Sequence, residues 1–146
     1  LKKLCEENGT AVILVTHDMG VIAETADRVA VMYAGRLAEI GPVEEMINDA
    51  EHPYTIGLMG SIPKIGDEQD RLSQIPGAMP HLTEVPSGCA FHPRCPLAEE
   101  RCIRERPGLQ PCGNKLVACW KAGRRNKQMR FPQEPFTIRA PEDMPQ

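Results

Sequence analysis

Residues 11–41 read AVILVTHDMGVIAETADRVAVMYAGRLAEIG, and their order decides the fold class. The run at 11–16 is continuously apolar and rich in β-branched side chains, the pattern of a central strand covered on both faces. His17 and Asp18 break that run, and Asp18 is placed to cap a helix running from Met19 to Thr25. Residues 28–33 return to a strand pattern. Ala34-Gly35 then turns the chain into residues 36–40, which pair back as a hairpin. A buried strand, a helix and a further hairpin make this an α/β chain.

Reading outward towards the start, residues 1–8 have the look of a helix end, stopped by Gly9. The chain opens on Leu1 within that helix, so the expectation is a piece of a longer protein. Reading outward towards the end, Pro42 suits a first helical position and Glu44-Glu45 suit a helix dipole, which predicts a short helix there. His52-Pro53-Tyr54 opens another, to about Ser61. The texture then changes. Of 14 prolines, 13 stand at position 53 or later, which disfavours long helices and central strands. Residues 97–106 predict a short helix carrying Cys102. Residues 124–146 mix basic side chains with four prolines and few large apolar groups, and read as a mobile tail.

The 146 residues suffice for about one domain. The formal net charge of −3 divides unevenly: residues 1–60 carry 4 basic and 10 acidic side chains, residues 61–146 carry 13 and 10. Neither half is extreme enough to imply a nucleic-acid partner. No apolar run approaches the roughly 20 residues of a membrane-crossing helix, and no signal peptide is visible.

Cys89, Cys95, Cys102 and Cys119 lie in a Pro-rich stretch, GCAFHPRCPLAEERC followed by VACW. Buried structural thiols are one reading, and it suits Cys5 on its helix better than a set surrounded by Pro, His, Arg and Glu. Structural zinc usually takes shorter C-x₂₋₄-C spacings. Disulfides fit poorly with an α/β domain of cytosolic type. Iron–sulfur ligation tolerates widely varying spacings and needs soft sulfur donors. Spacing alone leaves these readings open. A loop-rich region with few apolar side chains does, however, gain order from cross-linking of some kind.

His17 stands just past the C-terminal edge of the predicted buried strand, where open α/β sheets bind ligands. A histidine there can hydrogen-bond a γ-phosphate or an attacking water, and positioning of that kind carries most of phosphoryl transfer. Taken alone, strand-His-Asp is better explained by a histidine closing a strand end.

The segment ILVTHDMGVIAETADRVAVMYAGRLAEIG closely resembles the histidine-switch segment of ABC transporter ATPases. HPYTIGLMGSIP, IPGAMP, GCAFHPRCPLAEERC and VACW are similar to the C-terminal extension of oligopeptide and dipeptide importer ATPases. The resemblance implies the C-terminal part of a P-loop NTPase domain over residues 1–50, a small irregular, loop-rich extension over 51–123, and the tail at 124–146. It makes His17 the catalytic switch histidine and the contact to the ATP γ-phosphate. It makes Cys89, Cys95, Cys102 and Cys119 ligands of a [4Fe–4S] cluster; Cys112 departs from the family pattern and, with His92, is a lesser candidate by its chemistry alone. Trp120 would shield that cluster, and Tyr54 would anchor a helix.

The P-loop, glutamine loop, signature and second acidic motif of that family precede the matched segment and do not occur here, so ATP and Mg²⁺ would be held mainly by residues outside it. This stretch alone is expected to be inactive. The implied setting is the cytoplasmic face of the inner membrane. The implied partners are a second ATPase subunit, two membrane permeases and, indirectly, an extracytoplasmic solute-binding protein. Peptide is the implied cargo; nickel, glutathione or another small solute is the alternative within the class. A free-standing iron–sulfur or zinc module is the alternative outside it. The first fifty residues speak against that module.

Overall fold

The computed structural model describes residues 2–61, 74–124, 129 and 131. Helix α1 (Lys2–Asn8) ends at Gly9, whose φ of 61° lets the Thr10 N–H reach back to the Cys5 carbonyl at 3.1 Å. Helix α2 (Met19–Thr25) is capped as its sequence predicts: one Asp18 carboxylate oxygen accepts from the N–H groups of Gly20 and Val21, at 2.9 and 3.2 Å.

Strand β1 (Arg28–Tyr33) alternates exposed and buried, so Val29, Val31 and Tyr33 face inward. Ala34 and Gly35 both have positive φ, 47° and 74°, the two-residue turn whose twist matches paired strands. Strand β2 (Arg36–Pro42) returns antiparallel, with a bulge at Val31/Met32. Across the bulge Val31 faces Glu39 and Met32 faces Leu37, and both Ala38 and Glu39 of β2 are buried.

Pro42 is the N-cap of α3 (Val43–Asn48), one position ahead of the first-turn place expected for it. Helix α4 (Pro53–Gly60) starts with Pro at its first position, as expected. A 3₁₀ turn at His92–Arg94 follows, then α5 (Glu100–Arg104), shorter than the predicted 97–106. Strands β3 (Gln110–Cys112) and β4 (Lys115–Val117) close the fold. The four strands form one antiparallel sheet in the order β1-β2-β4-β3. It joins the start of the chain to its cysteine-bearing part, through Glu39 opposite Val117 and Ile40 opposite Leu116.

Residues 11–16 correct the sequence reading. They form no strand, and Ile13 and Val15 are 93% and 91% exposed. A strand covered on both faces takes its hydrogen bonds from two flanking strands and its burial from layers above and below. Among the described residues, the only sheet is the antiparallel one, and it does not include this run. The structure is therefore a mixed α/β chain around an antiparallel sheet, without the parallel strand.

The core lies on the inner face of β1 and β2. Both tyrosines and two of the three phenylalanines meet there. Tyr33 and Tyr54 are 4.7 Å apart between ring centroids, Tyr33 and Phe91 5.2 Å, Tyr54 and Phe91 5.5 Å, Phe91 and Phe131 6.3 Å. Tyr54 is thus an anchor of α4, as expected. Of the tail at 124–146, Phe131 is buried in this core; apart from Arg124 and Met129, the rest lies outside the described residues.

A buried ion pair locks the sheet to the helices. Glu39 and Lys115 are 0% and 3% exposed, with Lys115 Nζ 3.4 Å from Glu39 Oε1. The same carboxylate accepts the N–H of Glu51 at 3.0 Å and that of His52 at 2.9 Å, and Lys115 Nζ also donates to the Asp49 carbonyl. The start of α4 is therefore tied through one side chain to β2 and β4. Gly41 is needed beside it, since a Cβ there would lie 2.5 Å from Lys115 Cγ.

Candidate functional site

The cysteines come together because three loops are pinned to one another. Gly88, at φ 66°, brings its backbone against the end of α5; a Cβ there would meet the Cys102 carbonyl oxygen at 2.3 Å. That approach allows Cys89 N–H to bond the Cys102 carbonyl at 2.8 Å and Ser87 Oγ to bond the Ile103 carbonyl at 3.0 Å. Arg94 reaches from the 3₁₀ turn to the Pro76 and Ile75 carbonyls at 2.9 and 3.1 Å and to the Tyr33 hydroxyl at 3.3 Å, which fixes the IPGAMP loop on the core. Helix α5 holds the third segment: the Arg101 guanidinium stacks 3.6 Å from the Trp120 ring centre, Trp120 Nε1 donates to the Glu105 carbonyl at 3.2 Å, and Lys121 pairs with Glu99 at 2.9 Å.

The result is one cavity, about 340 Å³ with its mouth, whose walls include Cys89, Cys95, Cys102 and Cys119. All four are free thiols. His52, Phe91, Leu97, Pro107 and Trp120 supply much of the remaining wall, so the site is largely apolar. Among the described residues, no three His, Cys, Asp or Glu side chains converge closely enough to share a single metal ion.

Backbone amides aim at the sulfurs. The N–H groups of Phe91 and His92 face Cys89, that of Leu97 faces Cys95, and those of Lys121 and Ala122 face Cys119. The Lys121 N–H lies 3.4 Å from Cys119 Sγ. Burial outweighs these donors in the thiol form: it pushes Cys89 upward, and Cys95 and Cys119 to about 11, with the neighbouring thiols adding to the rise. The thiols are therefore protonated near neutrality, while the amides stand ready to stabilise charge on sulfur. A cation would displace the protons.

The other candidates fall outside this arrangement or at its edge. Cys112 is not in the cavity wall; burial raises its thiol first, then Glu51, and Lys115 and Glu39 also act on it. His92 lines the cavity, but its Nδ1 bonds the Cys89 carbonyl at 2.9 Å, which holds the ring in its own loop. Trp120 is part of the wall, where shielding was expected of it. Cys5 lies on α1. His17 is exposed in the bend just before α2 and does not meet the cysteines. Lys121 is paired with Glu99, while Arg125, Lys127 and Arg130 lie outside the described residues.

Sequence reasoning did not single out Gly88, Arg94, Glu39 or Lys115. A glycine directly before a candidate ligand was a usable signal for Gly88. The others are set by contacts between distant segments.

His52, 3% exposed, caps α4 through its ring: Nδ1 accepts the Tyr54 N–H at 3.1 Å. Burial lowers its pKa from 6.5 to about 4. Between those values the unfolded chain takes up a proton that the folded chain refuses. Stability is thus complete above 6.5 and falls as the pH drops towards 4. A difference of about 3 kcal/mol is expected across that window. Urea titrations from pH 7 to pH 4 should show this slope reduced in His52→Asn, which retains a capping oxygen.

Residues 38–102 match the family model of the oligopeptide/dipeptide transporter C-terminal region. That stretch runs from β2 into α5 and includes Cys89, Cys95 and Cys102. A Brucella ovis protein named as a peptide import ATP-binding protein is 48% identical over 115 residues, which cover 75% of this chain and 34% of the relative. A Brucella abortus protein of the same description is 41% identical over 119 residues, 82% of this chain and 36% of the relative. Residues 38–102 thus match the model of that C-terminal region, and most of the chain is similar in sequence to proteins named for peptide import and ATP binding. The chain spans about a third of the length of the curated relatives it matches. None of the described helices is long and apolar enough to cross a membrane.

Proposed function

We propose that this chain is the C-terminal part of the ATP-binding subunit of an ABC importer, which couples ATP hydrolysis to peptide uptake. The observation that carries the reading is the 48% identity, over three quarters of the chain, to a protein named for peptide import and ATP binding. Residues 1–50 belong to the end of the ATPase domain, 51–123 to the cysteine-bearing extension and 124–146 to a tail. ATP and Mg²⁺ are bound mainly by parts of the subunit outside these residues. The stretch alone has no G-x-x-x-x-G-K-[ST] and is inactive. The subunit sits on the cytoplasmic face of the inner membrane, against two permeases and a second ATPase subunit, and an extracytoplasmic binding protein delivers the peptide.

His17 contacts the γ-phosphate. Its exposure ahead of the Asp18-capped α2 supports this, since a side chain serving a nucleotide must be free to reach out of its own fold. In the full-length subunit, assembled with its permeases, His17→Ala should lower ATP turnover by about 10²-fold or more without changing the melting temperature. Turnover at the wild-type rate would remove this role.

Cys89, Cys95, Cys102 and Cys119 hold a [4Fe–4S] cluster. Support comes from the donor set: four free thiols around one mostly apolar cavity, with backbone N–H groups directed at three of the sulfurs. Four soft sulfur donors around one cavity match the ligand number of such a cluster. When bound, the cluster would supply a one-electron redox centre and cross-link the loops.

A further inference from the structure

We infer that the Glu51 carboxylate is a positioning group for Cys119: it fixes the turn that carries this thiol against the cysteine cavity. What Cys119 binds rests on the cluster reading above; the placement of its sulfur does not.

The turn has no ladder to hold it. Strand β4 ends at Val117, and residues 118–124 contain neither helix nor strand. Within the turn the Ala122 N–H bonds the Cys119 carbonyl at 3.3 Å, and the Arg124 N–H bonds the Lys121 carbonyl at 3.2 Å. This curl turns the Lys121 and Ala122 amides towards the Cys119 sulfur. On the α5 side the turn is held by the side chains of Trp120 and Lys121. The Lys121–Glu99 pair is open to solvent, 27% and 43% exposed, and such pairs contribute little. At the other end the Gly123 N–H donates to Glu51 Oε2 at 3.0 Å, and Glu51 is only 8% exposed. A hydrogen bond to an ionised carboxylate is roughly twice as strong as a neutral one. Gly123 has φ 75°, and a Cβ there would meet Cys112 Sγ at an ordinary 3.8 Å, so the backbone angle and not lack of space calls for glycine.

Glu51 is itself held in place. Its main-chain N–H donates to both oxygens of the Glu39 carboxylate, at 3.0 and 3.2 Å, and Glu39 is paired with Lys115. The next residues, His52 and Pro53, line the cysteine cavity on one side, and Cys119, Trp120 and Lys121 line it from the turn. The bond from Glu51 to Gly123 therefore joins two parts of the cavity wall that are far apart in the chain, and the place of the Cys119 sulfur depends on it.

The test uses the full-length subunit and compares Glu51→Ala, which removes the acceptor, with Glu51→Gln, which retains an oxygen for the Gly123 N–H. In reduced protein stripped of metal, iodoacetamide labelling is followed at Cys119 and at Cys95 by peptide mass spectrometry. Glu51→Ala should raise the Cys119 rate relative to the Cys95 rate by roughly tenfold, with Glu51→Gln much nearer to wild type. A general loss of stability would speed both thiols alike, so an unmoved ratio overturns the inference. In anaerobically prepared protein, wild type and Glu51→Gln should retain iron that Glu51→Ala loses to a chelator, and iron held equally by all three overturns the inference as well. Wild-type protein without iron and sulfide overturns the cluster reading alone, because the labelling ratio is measured without metal. Should Glu51→Ala not fold, hydrogen exchange in the wild-type subunit decides: a protected Gly123 amide supports the tether, and exchange at the rate of an open chain overturns it.

Discussion

Serine at Cys89, Cys95, Cys102 or Cys119 is expected to remove most of the iron from anaerobically purified full-length subunit. Each of these side chains borders the same cavity, and oxygen is a poor substitute for a soft sulfur ligand. The same changes should open residues 86–120 to protease. That region has short elements only, namely a three-residue 3₁₀ turn, a five-residue helix and two three-residue strands, so ligation and local folding should rise and fall together. Loading should also release protons, because burial keeps Cys95 and Cys119 protonated up to about 11 in the metal-free chain. Cys5→Ser and Cys112→Ser should retain iron, since neither thiol borders the cavity. Iron lost in Cys112→Ser and kept in Cys119→Ser would exchange their assignments. Stoichiometric zinc without acid-labile sulfide would remove the cluster.

Lys115→Met should be the most destabilising single change away from the cysteines. The side chain fits in volume but leaves the Glu39 carboxylate, 0% exposed, without its cation. Breaking a buried pair in this way costs about 3–5 kcal/mol. The lower end is expected, because the N–H groups of Glu51 and His52 remain on the carboxylate. The loss should spread beyond the pair. Glu39 and Lys115 connect β2, β4 and the start of α4, and Cys119 follows β4 by two residues. Hydrogen exchange should therefore quicken both in β2 and in the segment around Cys119. Urea unfolding that shows less than about 1 kcal/mol of destabilisation would mean that the pair is already screened by water.

Much of the local structure was legible in the sequence because its causes are local. Asp18 caps α2 with its own carboxylate, Ala34-Gly35 turns β1 into β2 at positive φ, and Pro53 opens α4 without losing a hydrogen bond. The alternation of Val29, Val31 and Tyr33 announces which face of β1 is buried. The candidate cysteines were also visible as residues, and the structure brings the chosen four, and not Cys112, to one cavity.

What the sequence could not determine depends on which distant segments meet. Residues 11–16 have the composition of a buried strand, yet burial is a property of neighbours, and here Ile13 and Val15 face solvent. The β3–β4 hairpin was missed because strands of three residues are too short for periodicity to show; the Gly113-Asn114 turn was its only local signal. Glu39 and Lys115 look like surface charges until β4 lies beside β2 and takes both out of water. Gly88 looks like any loop glycine until α5 approaches too closely for a Cβ. Helix caps and two-residue turns are set within a few residues of chain, so the sequence determined them. Burial, charge pairing and the gathering of the thiols arise between residues tens of positions apart, so only the tertiary structure decided them.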